Sequence, residues 1–262
     1  MEFPLRISLD EIFSQLALTG PNDRTDPPRK ILFWGEWAGE ISSYVAGWMA
    51  GQGIDVIVLD GANRFDPYMV SSFAKKVSVL PEDLLKKIRI ARAFTCYQMA
   101  TLVEERLVSL LRQEGSIAQL HKPWVILLGP ITTFLDEDVP EREVRPLFER
   151  VLRKVERMAM EGISFFLFQP PVFSENRSGR GMDRKPPFTK RGLGEFIDSR
   201  RAYLTRRLSQ ISNLVWRIGQ DDEGPKLILE KEPQLNIIEN CKLQNEKCKF
   251  VGKSLKCLSI DR

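Results

Sequence analysis

The run Trp124-Val125-Ile126-Leu127-Leu128 is apolar at every position. A strand with no polar side must be covered on both faces, which is the situation of a parallel sheet packed between helices. Further strands are read at Ile31 to Trp34, Asp55 to Asp60, Ile88 to Arg92 and Ile163 to Phe168, of which only the first is apolar throughout. Helical patterns separate these runs. Ser42 to Gln52 is amphipathic and Tyr68 to Val77 reads as helix. Met99, Leu102, Val103, Leu107, Leu110 and Leu111 fall on one helical face. The clearest stripe is Val144, Leu147, Phe148, Val151, Leu152 and Val155, with Pro140 suited to its first turn. Alternation of strand and helix predicts βαβ units and a parallel sheet. The expected fold class is therefore α/β, three-layered α/β/α, with a mostly parallel central sheet.

The ends of the chain read differently. Ser8-Leu9-Asp10-Glu11 has capping-box spacing ahead of an apolar stripe at Ile12, Phe13 and Leu16, so a short leading helix is expected. Pro21 to Lys30, with three prolines, reads as a linker. Beyond Ile163 to Phe168 lies a polar stretch from about Pro170 to Gly194, a length usually functional or disordered. Arg200 to Leu208 looks helical, and Ile211 to Ile218 with Lys226 to Lys231 reads as an antiparallel C-terminal hairpin around residues 219–225. The expected organisation is a helix and linker over 1–30, one core domain over 31–233, and a basic, flexible tail over 234–262.

A chain of 262 residues with 43% hydrophobic content can bury one sizeable core. Its 39 Lys and Arg against 35 Asp and Glu leave only +4, too mild to identify a nucleic-acid binder. No uncharged apolar run approaches the roughly 20 residues of a membrane helix. Met1-Glu2-Phe3-Pro4 lacks a secretory signal's basic-then-apolar order, so a cytoplasmic protein with reduced cysteines and no membrane partner is expected. Cys241, Cys248 and Cys257 have no zinc spacing, and the only histidine, His121, is distant in sequence. No metal site is expected.

One polar run has a diagnostic position. Leu59-Asp60-Gly61-Ala62-Asn63-Arg64-Phe65 follows an apolar strand and precedes Asp66-Pro67-Tyr68. Strand ends of this kind are where open α/β sheets hold ligands. Asp60, Asn63 and Arg64 suit either a structural turn or a binding role. Thirty residues on come Ile88-Arg89-Ile90-Ala91-Arg92-Ala93-Phe94 and Gln98. This strand, turn, helix, strand order with an "aRaf…Q" signature resembles the core of the RecA and RadA recombinase family, from about Ile31 to Pro233. The resemblance implies a RecA-like, P-loop NTPase fold.

In that family the first strand ends in a loop of the form G-x-x-x-x-G-K-[ST], whose amides cradle phosphates while the lysine and hydroxyl serve phosphate and magnesium. Here the corresponding segment is Trp34-Gly35-Glu36-Trp37-Ala38-Gly39-Glu40-Ile41-Ser42-Ser43. If Gly39 is the second motif glycine, Glu40 replaces the lysine and Ile41 the hydroxyl residue. A carboxylate there repels phosphate. No lysine occurs between Lys30 and Lys75. Gly129 falls where the family places its magnesium-linked aspartate, and Ala62 where its catalytic glutamate follows the second strand. The acidic cluster Asp136-Glu137-Asp138 reads as a cap more readily than as a metal ligand set. The resemblance thus implies a degenerate nucleotide site at Gly35, Gly39, Ser42, Ser43 and Gln169, no catalytic residues, and a pseudo-ATPase with no required cofactor, at most binding ATP with magnesium without hydrolysing the ATP. Gln169 matches half of the family's "NQ" pair, the asparagine being Phe168. Trp34, Trp37 and Trp48 read as core or interface residues, two of them flanking the altered phosphate loop.

The segment from Glu175 to Arg191 carries Arg177, Arg180, Arg184, Lys185, Lys190 and Arg191 against Glu175 and Asp183, a net +4 equal to the whole chain's excess. The recombinases' corresponding loop wraps a phosphate backbone. Phe173 and Phe188 add stacking surfaces. Arg200 and Arg201 head a second cluster with Arg206 and Arg207, in a stretch resembling the family's "R-x-Y-L" segment. A solvated loop and an acidic protein partner are the other readings of these charges. The resemblance implies a DNA-binding accessory of recombination and repair, with single-stranded DNA as ligand, a recombinase or other RecA-like protein as a second partner, and oligomerisation left open. The alternatives are an active ATPase with an unorthodox phosphate loop served by Lys75, Lys76 or a neighbour's arginine, and a non-enzymatic assembly module.

Overall fold

The computed structural model describes residues 30–115, 122–171, 191–221 and 224–231. The leading helix, the linker up to residue 29 and the tail lie outside the described residues. The chain divides into Met1–Glu232 and Pro233–Arg262, and every described residue belongs to the first unit.

Seven strands form one sheet: β1 (Lys30–Gly35), β2 (Val56–Asp60), β3 (Ile88–Arg92), β4 (Trp124–Leu128), β5 (Ser164–Gln169), β6 (Leu214–Asp221) and β7 (Gly224–Lys231), in the order β3-β2-β4-β5-β1-β6-β7. All neighbours are parallel except the final pair, β6 and β7. The α/β class and the antiparallel end expected from the sequence are present. The register aligns Arg92, Asp60, Leu128, Phe168 and Phe33 in one row across the sheet, so the strand exits share one edge.

Helices cover both faces because central strands such as β2 and β4 are buried at every position, whereas edge strand β3 is fully buried only at Ile88. On one face α1 (Ala38–Gly51), α2 (Pro67–Lys76) and α3 (Pro81–Leu85) pack Val45, Met49, Val70 and Phe73 against Phe33, Val58 and Phe168. On the other, α4 (Cys96–Thr101), α5 (Leu107–Gly115), α6 (Glu141–Met160) and α7 (Arg191–Ile211) pack Met99, Phe148, Leu152 and Leu204 against Leu32, Val125 and Leu167. Burying each such side chain stabilises the fold by about 1.5–3 kcal/mol. The α6 stripe read from the sequence is buried throughout, and it extends to Met158 and Ala159.

Three boundaries differ from the sequence reading. Helix α1 starts at Ala38, four residues before the amphipathic stretch, since Ala38 and Gly39 are already buried against the core. Helix α7 begins at Arg191, within the stretch expected to be loop, and runs to Ile211. Ile211 shares helical spacing with buried Leu204 and Leu208, so it ends the helix and β6 starts only at Leu214. The short α3 was not expected. Lys231 on β7 donates to the carbonyls of Ser209, Gln210 and Ser212 at 3.1, 3.2 and 2.5 Å, capping the α7 terminus with a cation, and burial lowers its pKa.

Candidate functional site

The carboxyl ends of β2, β4, β5 and β1 lie side by side, which brings Ala62, Gly129, Gln169 and Gly35 to one edge. At β1 the turn is very short. Strand β1 ends at Gly35 and α1 starts at Ala38, leaving Glu36 and Trp37 alone between them. Gly35 adopts φ +125°, and a Cβ there would lie 2.2 Å from the Ile218 carbonyl oxygen, so only glycine permits the approach to β6. Trp37 turns the chain in the left-handed region at φ 65°, and its carbonyl accepts from Ile41 N at 2.9 Å. Three residues separate Gly35 from Gly39, one fewer than the four in the phosphate-loop motif. Too little backbone is left to wrap successive N–H groups around an anion.

The hydroxyls of this segment serve the protein. Ser42 Oγ donates to the Gly39 carbonyl at 2.6 Å. Ser43 Oγ donates to the same carbonyl at 3.1 Å and accepts from Asp66 N at 3.0 Å, tying α1 to the turn before α2. Gly39 permits that packing, because a Cβ would lie 3.0 Å from Arg64 Cβ. Gln169 is buried; its Oε1 accepts from Ile131 N at 3.1 Å, and its Nε2 donates to the Pro170 carbonyl at 2.7 Å and to Thr132 Oγ1 at 3.4 Å. The residues matched to a nucleotide site thus converge on one edge, with the two hydroxyls and the amide engaged within the fold. Trp37 and Trp48 pack partly buried against the α1–α3 core, while Trp34 packs against the opposite one and donates from Nε1 to Glu230 Oε2 at 3.0 Å.

At β2, Asp60 organises the exit. Its Oδ1 accepts from Ala62 N and Arg64 N at 3.1 and 3.2 Å, its Oδ2 accepts from Phe65 N at 3.0 Å, and Arg92 Nε lies 3.7 Å away. A fully buried carboxylate is tolerable only with such a set of donors. Asn63 takes the left-handed turn position at φ 52°, a conformation asparagine accepts more readily than most residues. Asp60 and Asn63 therefore build a structural turn. Gly61 N donates to the Leu128 carbonyl and Gly129 N to the Phe168 carbonyl, each at 2.7 Å, stitching three strand ends together. Gly129 stands at φ +67°, and a Cβ on it would lie 2.6 Å from Ala62 Cβ and 2.7 Å from Thr132 Oγ1. The positions matched to the magnesium aspartate and catalytic glutamate are pressed together.

The signature after β3 has a structural basis. Thr95 Oγ1 accepts from Gln98 N at 3.2 Å, and Gln98 Oε1 accepts from Phe94 N at 2.8 Å, a reciprocal cap on α4. Asp136 Oδ1 accepts from Asp138 N at 3.1 Å, so that acidic cluster forms a turn ahead of α6. Among the described residues no three or more His, Cys, Asp or Glu gather to hold a metal ion. Cys96 is buried, which pushes its thiol pKa up.

Of the cationic candidates, Arg177, Arg180, Arg184, Lys185 and Lys190 lie outside the described residues, as do Phe173 and Phe188, and Arg191 opens α7. The segment they occupy leaves from β5, central in the sheet, just after Gln169. Arg200 belongs to the fold instead of a DNA contact. It is 2% exposed, and its guanidinium donates to Glu141 Oε2, the Asp136 carbonyl and the Val139 carbonyl at 2.6, 2.7 and 2.9 Å. Arg201 beside it is half-buried.

The sequence reading missed the partners. Glu141, Arg145 and Glu149 follow one another at four-residue spacing on α6 and face Arg200, Tyr203 and Arg207 on α7. Arg207 grips Glu149 through two bonds of 2.6 and 2.8 Å, Tyr203 Oη donates to Glu149 at 2.7 Å, and the Arg145 guanidinium lies 4.5 Å from the Tyr203 ring centroid. Arg207, against the opposing effect of burial and with help from Tyr203, lowers the Glu149 pKa to about 2. Burial, then the Glu149 bond, raises the Tyr203 pKa. The i,i+4 spacing was the available signal.

No model of a known protein family matches the chain, and no curated protein matches it either. Among the described residues no helix is long and apolar enough to cross a membrane.

Proposed function

We propose that this chain is a RecA-like core that has given up nucleotide hydrolysis and serves recombination and repair as a DNA-binding accessory. The observation that carries the first half is the packing at the strand exits. A two-residue turn replaces a phosphate loop, and Gly129 packs on Ala62 with no room for a carboxylate on the β4 side. Helix α2, ten residues and so about 15 Å long, carries Lys75 and Lys76 away from this edge, which disfavours their service to phosphates within the same chain. DNA binding rests on the basic segment over 175–191, tethered to the end of a central strand at the ligand-bearing edge. Single-stranded DNA is the ligand its chemistry favours, with another RecA-like protein as an assembly partner.

The test is a binding titration with single-stranded DNA across salt concentrations, run beside an ATPase assay. Binding should weaken steeply with salt, and changing Arg177, Arg180, Arg184 and Lys185 together to alanine should flatten the slope by about one unit per contact removed, with the melting temperature nearly unchanged. Magnesium-dependent turnover lost on altering Gly35 to Ser43 would restore the ATPase reading. Absence of binding at low salt would hand the segment to an acidic protein partner.

A further inference from the structure

A second feature of the same edge faces a different ligand chemistry. Strand β2 sends its chain to the α1–α3 face, while β3 and β4 on either side send theirs to the opposite face. Divergence of this kind opens a crevice at the strand ends, the place where open α/β sheets hold ligands. Here it is a cleft of about 340 Å³, with Asn63, Ala93, Phe94, Thr133, Leu135 and Asp136 in its lining. We propose that this cleft receives the guanidinium of an arginine presented by a partner protein.

The lining fits that group part by part. Phe94 is 66% exposed although its backbone N–H is held by Gln98, so a fixed platform offers an open aromatic face for a planar cation. Asp136 supplies the carboxylate: its backbone carbonyl is held by Arg200 and its Oδ1 accepts from Asp138 N, which orients the group and leaves Oδ2 for the ligand. The Asn63 amide adds a neutral acceptor, and Ala93 and Leu135 supply apolar walls for an arginine stem. Thr133 in the wall keeps a hydroxyl that is buried with no hydrogen-bond partner among the described residues, an uncommon condition that marks sites completed by something else. The cationic side chains Arg92 and Arg200 are engaged by Asp60 and Glu141. Exposed Glu137 and Asp138 follow Asp136 and add carboxylates on that side of the cleft, which favours a cation there, while exposed Arg64 follows Asn63 on the other side. Arginine suits the cleft better than lysine because its flat fork can stack and bond at once.

The test is calorimetric or NMR titration of the full chain with a blocked Gly-Arg-Gly peptide and with its citrulline counterpart, which keeps the shape and loses the charge. The citrulline peptide should bind at least tenfold more weakly. Phe94→Ala and Asp136→Asn should each weaken the arginine peptide at least fivefold with an unchanged melting temperature. Should Asp136→Asn fail to fold, Phe94→Ala carries the test, since its ring is largely in solvent. Equal binding of the two peptides would overturn the proposal, as would wild-type affinity in folded Phe94→Ala. A single-stranded oligonucleotide that binds through Phe94 and is not displaced by the arginine peptide would also overturn it, in favour of a nucleobase.

Discussion

The strand exits and the α6–α7 contact treat charge in opposite ways. At the exits, positions that the recombinase resemblance fills with lysine, aspartate and glutamate hold Glu40, Gly129 and Ala62; Gly129 and Ala62 are closely packed, and the buried Asp60 carboxylate is held by backbone amides. At the α6–α7 contact, charges are abundant, but Arg200 and Arg207 spend their donors on Glu141, Glu149 and backbone carbonyls. The difference teaches that an arginine in a sequence is not a cation available to a ligand, and that a missing carboxylate can be a packing requirement. Each region can be broken separately.

The largest effect should come from returning the aspartate to the exits. Gly129→Asp puts a Cβ at 2.6 Å from Ala62 Cβ, imposes an unfavourable φ of +67° and adds a charge beside buried backbone. Destabilisation of about 4 kcal/mol or more is expected by urea unfolding, with no gain of ATPase activity. A stable variant with magnesium-dependent turnover would show the edge to be an altered active site. On the other side, Arg200→Ala leaves the Asp136 and Val139 carbonyls without their guanidinium donor and Glu141 with Arg145 alone. A loss of about 3 kcal/mol is expected by urea unfolding. A cost below about 1 kcal/mol would show that the guanidinium is not part of what holds α6 and α7 together.

A smaller effect is the pH dependence of the α6–α7 contact. Glu149 has its folded pKa depressed to about 2 from an ordinary 4.5, so its contribution is present above 4.5 and is lost as pH falls from there toward 2. Glu149→Gln should cost about 1–2 kcal/mol near neutral pH, the solvent-facing part of the pair being screened, and should flatten the acid limb of the stability curve. An acid limb identical to wild type would remove the pair from the account. The smallest change should be favourable. Thr133→Val removes a buried hydroxyl that has no partner among the described residues and should raise stability by about 0.5–1 kcal/mol in thermal unfolding. A drop in melting temperature would mean that the hydroxyl is satisfied within the folded protein.

What the sequence revealed depended on how far apart the cause and its pattern lay. The apolar strand Trp124–Leu128 and the α6 stripe were legible, because periodicity and full burial are written in neighbouring residues. Gly129 and Ala62 were legible as substitutions, but not as mutual contacts, since they meet only when β2 and β4 pair. Arg200 was misread because its partners lie about sixty residues upstream, and a basic run looks the same whether paired or bare. The turn at Asp60 was one of two readings the sequence left open, while its three amide donors required coordinates.

The two-residue turn after β1 sets how this chain can change in evolution. Substituting lysine for Glu40 and threonine for Ile41 would restore the letters of a phosphate-binding motif around a turn that is still one residue short. The extra residue must enter between Gly35, locked against Ile218, and Ala38, buried in the core. Insertions are rarer events than substitutions and arrive with their cost undivided. At this backbone length, single substitutions change the side chains around the turn without supplying the residue that a phosphate-loop spacing needs.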